Sequence, residues 1–182
     1  MNGSDVAESA DVAPQFISIC HVPLNYQPSE RENHMSFTIE TGDLFAHPSE
    51  ALAHGVNCIG VAGAGVAAIM KQRHPNAIHQ YEVLARRGEL PVGGAMICPQ
   101  GPGDMTIIHC ASQYEPGPDA RPEWLRSSLT VGLELAVSHG IASVALPLIG
   151  GGIGGLDPKE AEQIIREVAE SSSVAVTLVL LG

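Results

Sequence analysis

Apolar and polar residues alternate with two different periods along most of this chain, and the period changes several times. Short, continuous apolar runs bounded by Gly, Pro or Asn are typical of buried strands. Such runs occupy residues 36–40, 51–56, 95–98, 106–111, 143–148 and 174–181. Apolar residues spaced three or four apart predict amphipathic helices between them. These helices span residues 65–73, 76–87, 122–139 and 158–170.

The order of these elements predicts the fold class. Strands that alternate with helices form a mostly parallel sheet that helices cover on both faces, which is the α/β class. The pattern contains no internal repeat and no sign of a second domain. Residues 1–34 are polar, acidic and dotted with proline, so we predict a loosely ordered extension before a domain of residues 35–182. The apolar residues between Phe16 and Val22 could dock part of this extension on the domain.

Composition narrows the function classes. The 182 residues are 45% hydrophobic, which suffices for one globular core. A net charge of −11 with only nine Lys and Arg argues against a nucleic-acid backbone or an anionic membrane as the main partner. The sequence has neither a bilayer-spanning run nor a signal peptide, so we expect a cytoplasmic protein. The four cysteines and eight histidines have no metal-ligand spacing, so we expect reduced thiols and no metal.

A glycine-rich loop stands between the strand 143–148 and the helix 158–170. Its sequence, GGGIGG, occupies residues 150–155 and fits the dinucleotide fingerprint G-x-G-x-x-G. A nicotinamide-binding loop, however, normally follows the first strand, and an acidic ribose anchor lies about 20 residues further on. Here only one helix and one strand remain, and that strand carries no acid. The loop therefore indicates an anion site at a strand–helix junction, or tight packing without a ligand. Asp157 is also a candidate helix N-cap, with Pro158 and Glu160 behind it.

Two further stretches are candidates for the same ligand. Residues 57–67 also run from a strand into a helix, and Gly63 and Gly65 allow close approach of the backbone. Two such loops could clamp one extended diphosphate between them, although two independent tight turns would look the same. Asp43 follows the first strand, where a carboxylate can accept a hydrogen bond from an exocyclic amine.

In this order, the three elements resemble a macrodomain, the ADP-ribose-binding module. The resemblance covers residues 35–182 and is carried by TIETGDLF, LAHGVNCIGVAGAGVAAIMKQRHP and ALPLIGGGIGGLDPKEAEQIIREV. The GAG turn before an apolar helix and K-x-R-x-P looks most like the branch of terminal ADP-ribose protein glycohydrolase. That branch also holds the DNA ADP-ribosyl glycohydrolase antitoxins and yeast ADP-ribose 1″-phosphate phosphatase. The resemblance implies a three-layer α/β/α fold with a mixed, mostly parallel six-stranded sheet.

The resemblance also implies roles by position. Asp43 should bind the adenine amine, with the backbone of Leu44 nearby. Asn57 should lie near the distal ribose, with a turn or cap role as the alternative. The strand end 111–114 should border the same ribose or the adenosine edge. Two sets of loop residues should wrap the diphosphate and distal ribose from opposite sides: Gly63, Ala64, Gly65 and Val66, and Gly150, Gly151, Gly152, Ile153 and Gly154.

Catalysis departs from the pattern of this branch. Its glycohydrolases use a lysine nucleophile assisted by an aspartate, and the matching positions here are Gln113 and Gly154. An amide cannot form a Schiff base, and glycine has no side chain. A lysine-free route could use a held water and phosphate-assisted deprotonation, with Asn57, Gln113 and Asp157 as candidate catalytic residues. His54 and His109 are available bases or, alternatively, packed core histidines.

Three functions follow from the resemblance. The first is hydrolysis of ADP-ribose from modified protein carboxylates, that is, from an ester with glutamate or aspartate. The second is a non-catalytic ADP-ribose reader, and the third is a hydrolase of ADP-ribose 1″-phosphate or O-acetyl-ADP-ribose. The expected partners are ADP-ribose and mono-ADP-ribosylated proteins, with nucleic-acid-linked ADP-ribose as an alternative. We expect a monomer that needs no cofactor and no membrane.

Overall fold

The computed structural model describes residues 36–99 and 105–182. These residues form six strands, four α-helices and one short 3-10 turn. The strands are β1 (Phe37–Thr41), β2 (Ala51–Asn57), β3 (Ala95–Cys98), β4 (Thr106–Gln113), β5 (Ser143–Leu146) and β6 (Ala175–Leu180). The helices are α1 (Gly65–Arg73), α2 (Pro75–Arg86), α3 (Pro122–Ser138) and α4 (Pro158–Glu170), and the 3-10 turn is Leu44–Ala46. The predicted extension of residues 1–34 lies outside the described residues.

One six-stranded sheet has the order β1-β6-β5-β2-β4-β3. All neighbouring pairs are parallel except β3 with β4, which is antiparallel. The predicted fold class, a three-layer α/β/α fold with a mixed, mostly parallel sheet, is therefore confirmed. Because five strands run in the same direction, their carboxyl ends and the loops that follow them meet at one edge of the sheet.

A hydrophobic core lies on each face of the sheet. On one face, α3 and α4 pack with residues such as Leu129, Ile165 and Leu178. On the other face, α2 and the end of α1 contribute Tyr81 and Met70. Parallel strands are long apolar runs for this reason, since both of their faces are buried.

The helix boundaries follow from local signals. Proline occupies the first turn of α2, α3 and α4, where its missing N–H costs nothing. Gly88 and Gly140 follow α2 and α3 with φ of 70° and 71°, a conformation that favours glycine. None of the helices in the described ranges is long and apolar enough to cross a membrane.

Candidate functional site

A cleft of about 670 Å³ opens at the carboxyl edge of the parallel strands. This volume lies within the range of about 300–1,000 Å³ that is usual for small-molecule sites. Its walls are the segments that follow β1, β2, β4 and β5, and the end of β6. Eight of the residues that line it are glycines, so much of its surface is bare backbone. All of the ligand-binding residues predicted from the sequence line this cleft: Asp43, Leu44, Asn57, Gly63, Ala64, Gly65, Val66, Gly150, Gly151, Gly152, Ile153 and Gly154.

Asn57 organises the first loop, which connects β2 with α1. Its Oδ1 accepts hydrogen bonds from the backbone N–H groups of Ile59, Gly60 and Val61 at 3.0–3.1 Å. Its Nδ2 donates to the carbonyl oxygen of Val61 at 2.8 Å. Tyr81 Oη donates to the backbone oxygen of Asn57 at 2.8 Å and lies 3.2 Å from Oδ1. The residue is 5% exposed and lines the cleft, while its carboxamide is committed mainly to its own loop.

The start of α1 presents unpaired donors to the cleft. Ala64 occupies the N-cap position and has no side chain that could accept from the first turn. The backbone N–H groups of Gly65, Val66 and Ala67 find no acceptor in the described part of the chain. All three residues line the cleft. Free N–H groups and the positive end of the helix dipole together make this an anion-binding terminus.

The second glycine loop, after β5, faces the first. Gly150 and Gly155 both adopt φ of 82°, and Leu156 N donates to Gly150 O at 2.9 Å, which closes the loop into a ring. The N–H groups of Gly152 and Ile153 donate to nothing within the described ranges. Ile153, which is 54% exposed, reaches across the cleft to Gly65. The loops therefore form two facing strips of donors, as an extended diphosphate requires.

Asp157, a candidate catalytic residue, caps helix α4 instead of lining the cleft. Its Oδ1 accepts from the N–H groups of Lys159 and Glu160 at 3.0 and 3.1 Å, which confirms the predicted N-cap of α4. It is not among the described residues that line the cleft. Because this cap occupies the first donors of α4, the open helix terminus at the cleft belongs to α1 and not to α4.

Asp43 and Phe45 form one end of the cleft. Asp43 Oδ1 accepts from the N–H of Phe45 at 2.9 Å and thereby caps the 3-10 turn. Leu44 is buried beneath the turn, and Phe45 contributes an apolar wall. Asp43 Oδ2 remains directed away from this hydrogen bond, next to the guanidinium of Arg73 at 3.9 Å.

Gln113 lies at another part of the cleft wall, at the end of β4. Its Nε2 donates to the carbonyl oxygens of Glu115 and Gly117 at 2.7 and 3.1 Å. Asp119 Oδ2 accepts from the N–H groups of Tyr114 and Glu115 and tightens the same loop. Two carbonyl partners fix which side of the amide carries the nitrogen, so Oε1 is the acceptor that remains.

Position 154 has no room for a side chain. A Cβ on Gly154 would lie 2.9 Å from Ala120 Cβ and 2.9 Å from Gly150 O. Ala120 N also donates to Gly154 O at 3.0 Å, so the two segments are held together at this point. Packing thus requires a glycine at position 154, which was predicted to match the aspartate of that glycohydrolase branch.

The electrostatic character of the cleft is unusual for a site of acid–base catalysis. Among the described residues that line it, Asp43 alone has an ionisable side chain. No group of three or more His, Cys, Asp or Glu side chains in residues 36–99 and 105–182 could hold a metal ion. The ligand would therefore meet amide dipoles and apolar side chains, with few formal charges.

His54 and His109 lie in the core and do not line the cleft. His54 Nε2 and His109 Nδ1 are 2.7 Å apart, both rings are fully buried, and His109 stacks on Tyr81. Burial lowers the pKa of His54 to about 4, and burial together with His54 lowers the pKa of His109 well below its usual value. The reading of both as packed core histidines agrees with this placement.

Gly55, Phe45 and Leu181 also line the cleft and were not predicted as site residues, whereas Ser112 belongs to the strand end 111–114 that was. Gly55 lies within β2, and a Cβ there would come within 2.9 Å of Ile149 Cγ2 and of Ser112 Oγ. Ser112 is 1% exposed, and its hydroxyl has no partner in the described part of the chain. A glycine inside an apolar strand signals a close approach, so Gly55 could have been found from the sequence. Phe45 and Leu181 carry no such signal.

Comparison with known proteins shows which proteins this chain is similar to. A family model described as Macro domain matches residues 53–165. A DNA ADP-ribosyl glycohydrolase of Mycobacterium tuberculosis is 34% identical over 128 residues, which are 69% of this chain and 36% of that protein. The chain thus spans about a third of the length of this curated relative.

Solved structures share the fold. The macrodomain of Thermus aquaticus DarG superposes on this chain with a TM-score of 0.73 at 28% identity. The match covers 79% of this chain and 97% of the DarG macrodomain chain. Thermosipho africanus DarTG in complex with ADP-ribose has a TM-score of 0.72 at 20% identity, over 80% of this chain and 42% of its own. The second likeness concerns the fold alone.

Proposed function

This chain belongs to the macrodomain family, and on that premise we propose that its cleft binds ADP-ribose and releases it from esters with protein carboxylates. One observation carries the proposal: two glycine loops, each with N–H groups that have no acceptor among the described residues, face each other across one cleft. Its relatives include proteins named as ADP-ribosyl glycohydrolases, which supports a hydrolase. We infer the ester substrate and the route of hydrolysis from the residues that line the cleft.

The ligand extends along the cleft from Asp43 to Gln113. The adenine amine donates to Asp43 Oδ2, since Oδ1 already accepts from Phe45 N. The diphosphate lies between the start of α1 and residues 150–154, where the free N–H groups donate to its oxygens. The distal ribose then reaches Gln113 and the neighbourhood of Asn57, whose side chain holds the loop.

Hydrolysis proceeds through a water that the site orients. Gln113 Oε1 accepts one hydrogen bond from this water, and a phosphate oxygen of the ligand takes its proton. The water oxygen forms a bond to the anomeric carbon as the bond from that carbon to the ester oxygen breaks. The leaving carboxylate is stable as an anion, so it needs no proton from the protein.

The scarcity of ionisable groups favours an ester over a nitrogen-linked substrate. A glycosidic nitrogen is a poor leaving group and needs a general acid, whereas only Asp43 in the described cleft lining can ionise. Asp43 lies at the end assigned to adenine. Asp157 caps α4 outside the lining, so we give it no step in this route.

The test compares release of ADP-ribose from a glutamate-linked ADP-ribosylated protein with binding of free ADP-ribose. We expect calorimetric saturation and enzyme-dependent release by the wild-type chain. Gln113→Glu should slow release by about tenfold or more, because a carboxylate would face the carbonyls of Glu115 and Gly117. Absence of both binding and release would overturn the proposal.

A reader of ADP-ribose is the second candidate, favoured because Asp43 alone among the described lining residues can ionise. Saturable binding without release above background at micromolar protein would select it. ADP-ribosylated DNA belongs in the same assay because a relative is named for that substrate. ADP-ribose 1″-phosphate and O-acetyl-ADP-ribose complete the panel, and preferential turnover of either one would replace the protein ester.

A further inference from the structure

Arg73 connects three parts of the adenine end of the cleft. Its guanidinium lies over the ring of Phe45, 4.9 Å from the centroid, and 3.9 Å from Asp43 Oδ2. It is also the last residue of α1, the helix whose first turn offers its N–H groups to the diphosphate site. The side chains of Arg73 and Asp43 are 51% and 54% exposed, so their ion pair adds little to stability.

We propose that Arg73 is a positioning residue that determines specificity for adenine; this inference rests on the proposed binding of ADP-ribose. A cation over one side of an aromatic ring is attracted by the ring's electron density and fixes the plane of the ring. Phe45 lines the cleft, so a fixed ring gives the base a defined apolar wall.

The distance to Asp43 explains why Arg73 assists the carboxylate without blocking it. At 3.9 Å, the guanidinium nitrogen is too far from Oδ2 for a hydrogen bond. The positive charge still compensates the negative charge of the carboxylate, while the lone pairs of Oδ2 stay available. The exocyclic amine of adenine is a donor that fits these lone pairs, and an oxo group in its place would be repelled.

Helix α1 sets the spacing between the two ends of the ligand site. Nine residues at 1.5 Å per residue make a helix of about 13.5 Å, from Gly65 at the diphosphate loop to Arg73 at the base. A rigid helix thus holds the Asp43–Phe45 turn at a fixed distance from the diphosphate donors. This spacing selects a base on one ribose 5′-diphosphate arm.

The experiment measures calorimetric affinities for ADP-ribose and for the analogue in which hypoxanthine replaces adenine. The two ligands share the diphosphate and both riboses, so their affinity ratio reports the base alone. Arg73→Ala should weaken ADP-ribose binding by about threefold to tenfold and reduce the ratio. Arg73→Lys keeps the charge and loses the planar contact, so its affinity ratio should lie between those of Arg73→Ala and the wild type. Arg126 forms an ion pair with Glu167 on α4, and Arg126→Ala is the matched control. It should change neither the affinity for ADP-ribose nor the affinity ratio.

Thermal unfolding of each variant should stay within about 1 °C of the wild type, since exposed ion pairs contribute little. An unchanged ratio in Arg73→Ala would overturn the inference, whether or not the affinity for both ligands falls. That result would not affect the proposal that the wild-type chain binds ADP-ribose. Failure of the wild-type chain to bind ADP-ribose would instead overturn the proposed function and the inference with it.

Discussion

The Cδ1 atom of Ile153 lies 2.9 Å from the place that a Cβ on Gly65 would occupy. Ile153 therefore bridges the second glycine loop and the first turn of α1, and both residues line the cleft. Gly65 has φ of 54°, so it needs glycine for its backbone as well as for the space above it. An enclosed ligand site in this cleft depends on that bridge.

Ile153→Ala should weaken ADP-ribose binding by about tenfold, because the variant loses apolar contact over the ligand. Its thermal stability should not change, since the side chain is more than half exposed. Calorimetry and thermal unfolding measure both quantities. Val137→Ala on α3, another exposed apolar residue, is the control and should bind normally. Equal affinity of Ile153→Ala and wild type would show that the bridge does not enclose the ligand.

Gly65→Ala and Gly88→Ala form a second pair. Both glycines have positive φ, so each alanine should cost about 1–2 kcal/mol in free energy of unfolding. A Cβ at 65 meets Ile153, whereas a Cβ at 88 meets nothing within 4 Å. We expect similar destabilisation in urea titrations but weaker ADP-ribose binding for Gly65→Ala alone. Equal loss of affinity in both variants would contradict a local role for Gly65.

Gly152→Glu should abolish ADP-ribose binding without unfolding the domain. A Cβ on Gly152 meets no atom within 4 Å, so the new side chain fits at a position that lines the cleft. A carboxylate near the diphosphate costs several kcal/mol, which is about a hundredfold or more in affinity. Gly152→Gln separates charge from bulk and should bind with intermediate affinity. Unaltered binding by Gly152→Glu would mean that the diphosphate lies elsewhere.

Asn57→Ala should destabilise the domain by about 2–4 kcal/mol, because it removes the acceptor shared by three loop N–H groups. Asn57→Asp keeps this oxygen, but its second oxygen replaces the donor and faces Val61 O, so part of the destabilisation should remain and the loss should be smaller than for alanine. Chemical denaturation of the three proteins gives the comparison. A larger loss for the aspartate than for the alanine would exclude the role of Oδ1 as the loop's organising acceptor.

The buried pair His54 and His109 predicts that stability falls in mild acid. The pKa of His54 is about 4 in the folded protein and 6.5 when unfolded, so the unfolded state binds more protons between these values. The contribution of His54 to the free energy of unfolding should therefore be fully present above pH 6.5. It should decrease as the pH falls toward about 4. His54→Gln should flatten this dependence, whereas replacement of the exposed His79 by Gln should not. Parallel profiles for His54→Gln and wild type would contradict it.

The sequence predicted helix boundaries well where the chain carries explicit signals. The bounds of α1 and α4 agree with the prediction, because a glycine loop, prolines and a side-chain cap mark them. The strand predicted over residues 143–148 instead ends at Leu146. Pro147 has no N–H for the ladder, and the apolar run continues because Leu148 and Ile149 pack on the core from the loop.

The site was predictable as a set of positions and not as a network of hydrogen bonds. Both loops were predictable from their glycines, because a loop whose backbone approaches a ligand closely is rich in glycine. The commitment of Asn57 to its own loop depends on Tyr81, which is 24 residues away in sequence. The packing of Gly154 on Ala120 depends on a contact between two separate loops. Contacts of this kind are set by tertiary structure, and no spacing in the sequence encodes them.

Amide dipoles, one hydroxyl and one carboxylate make up the polar lining of the cleft within residues 36–99 and 105–182, which has a consequence for how its affinity should respond to ionic strength. Lysine and arginine sites lose affinity in salt because binding releases counterions. Here the chain's net charge of −11 repels an anionic ligand at long range, while the N–H contacts act only at short range. Salt screens the repulsion and leaves the contacts in place. The affinity for ADP-ribose should therefore hold or rise as salt is added, in contrast to that of a basic phosphate-binding site.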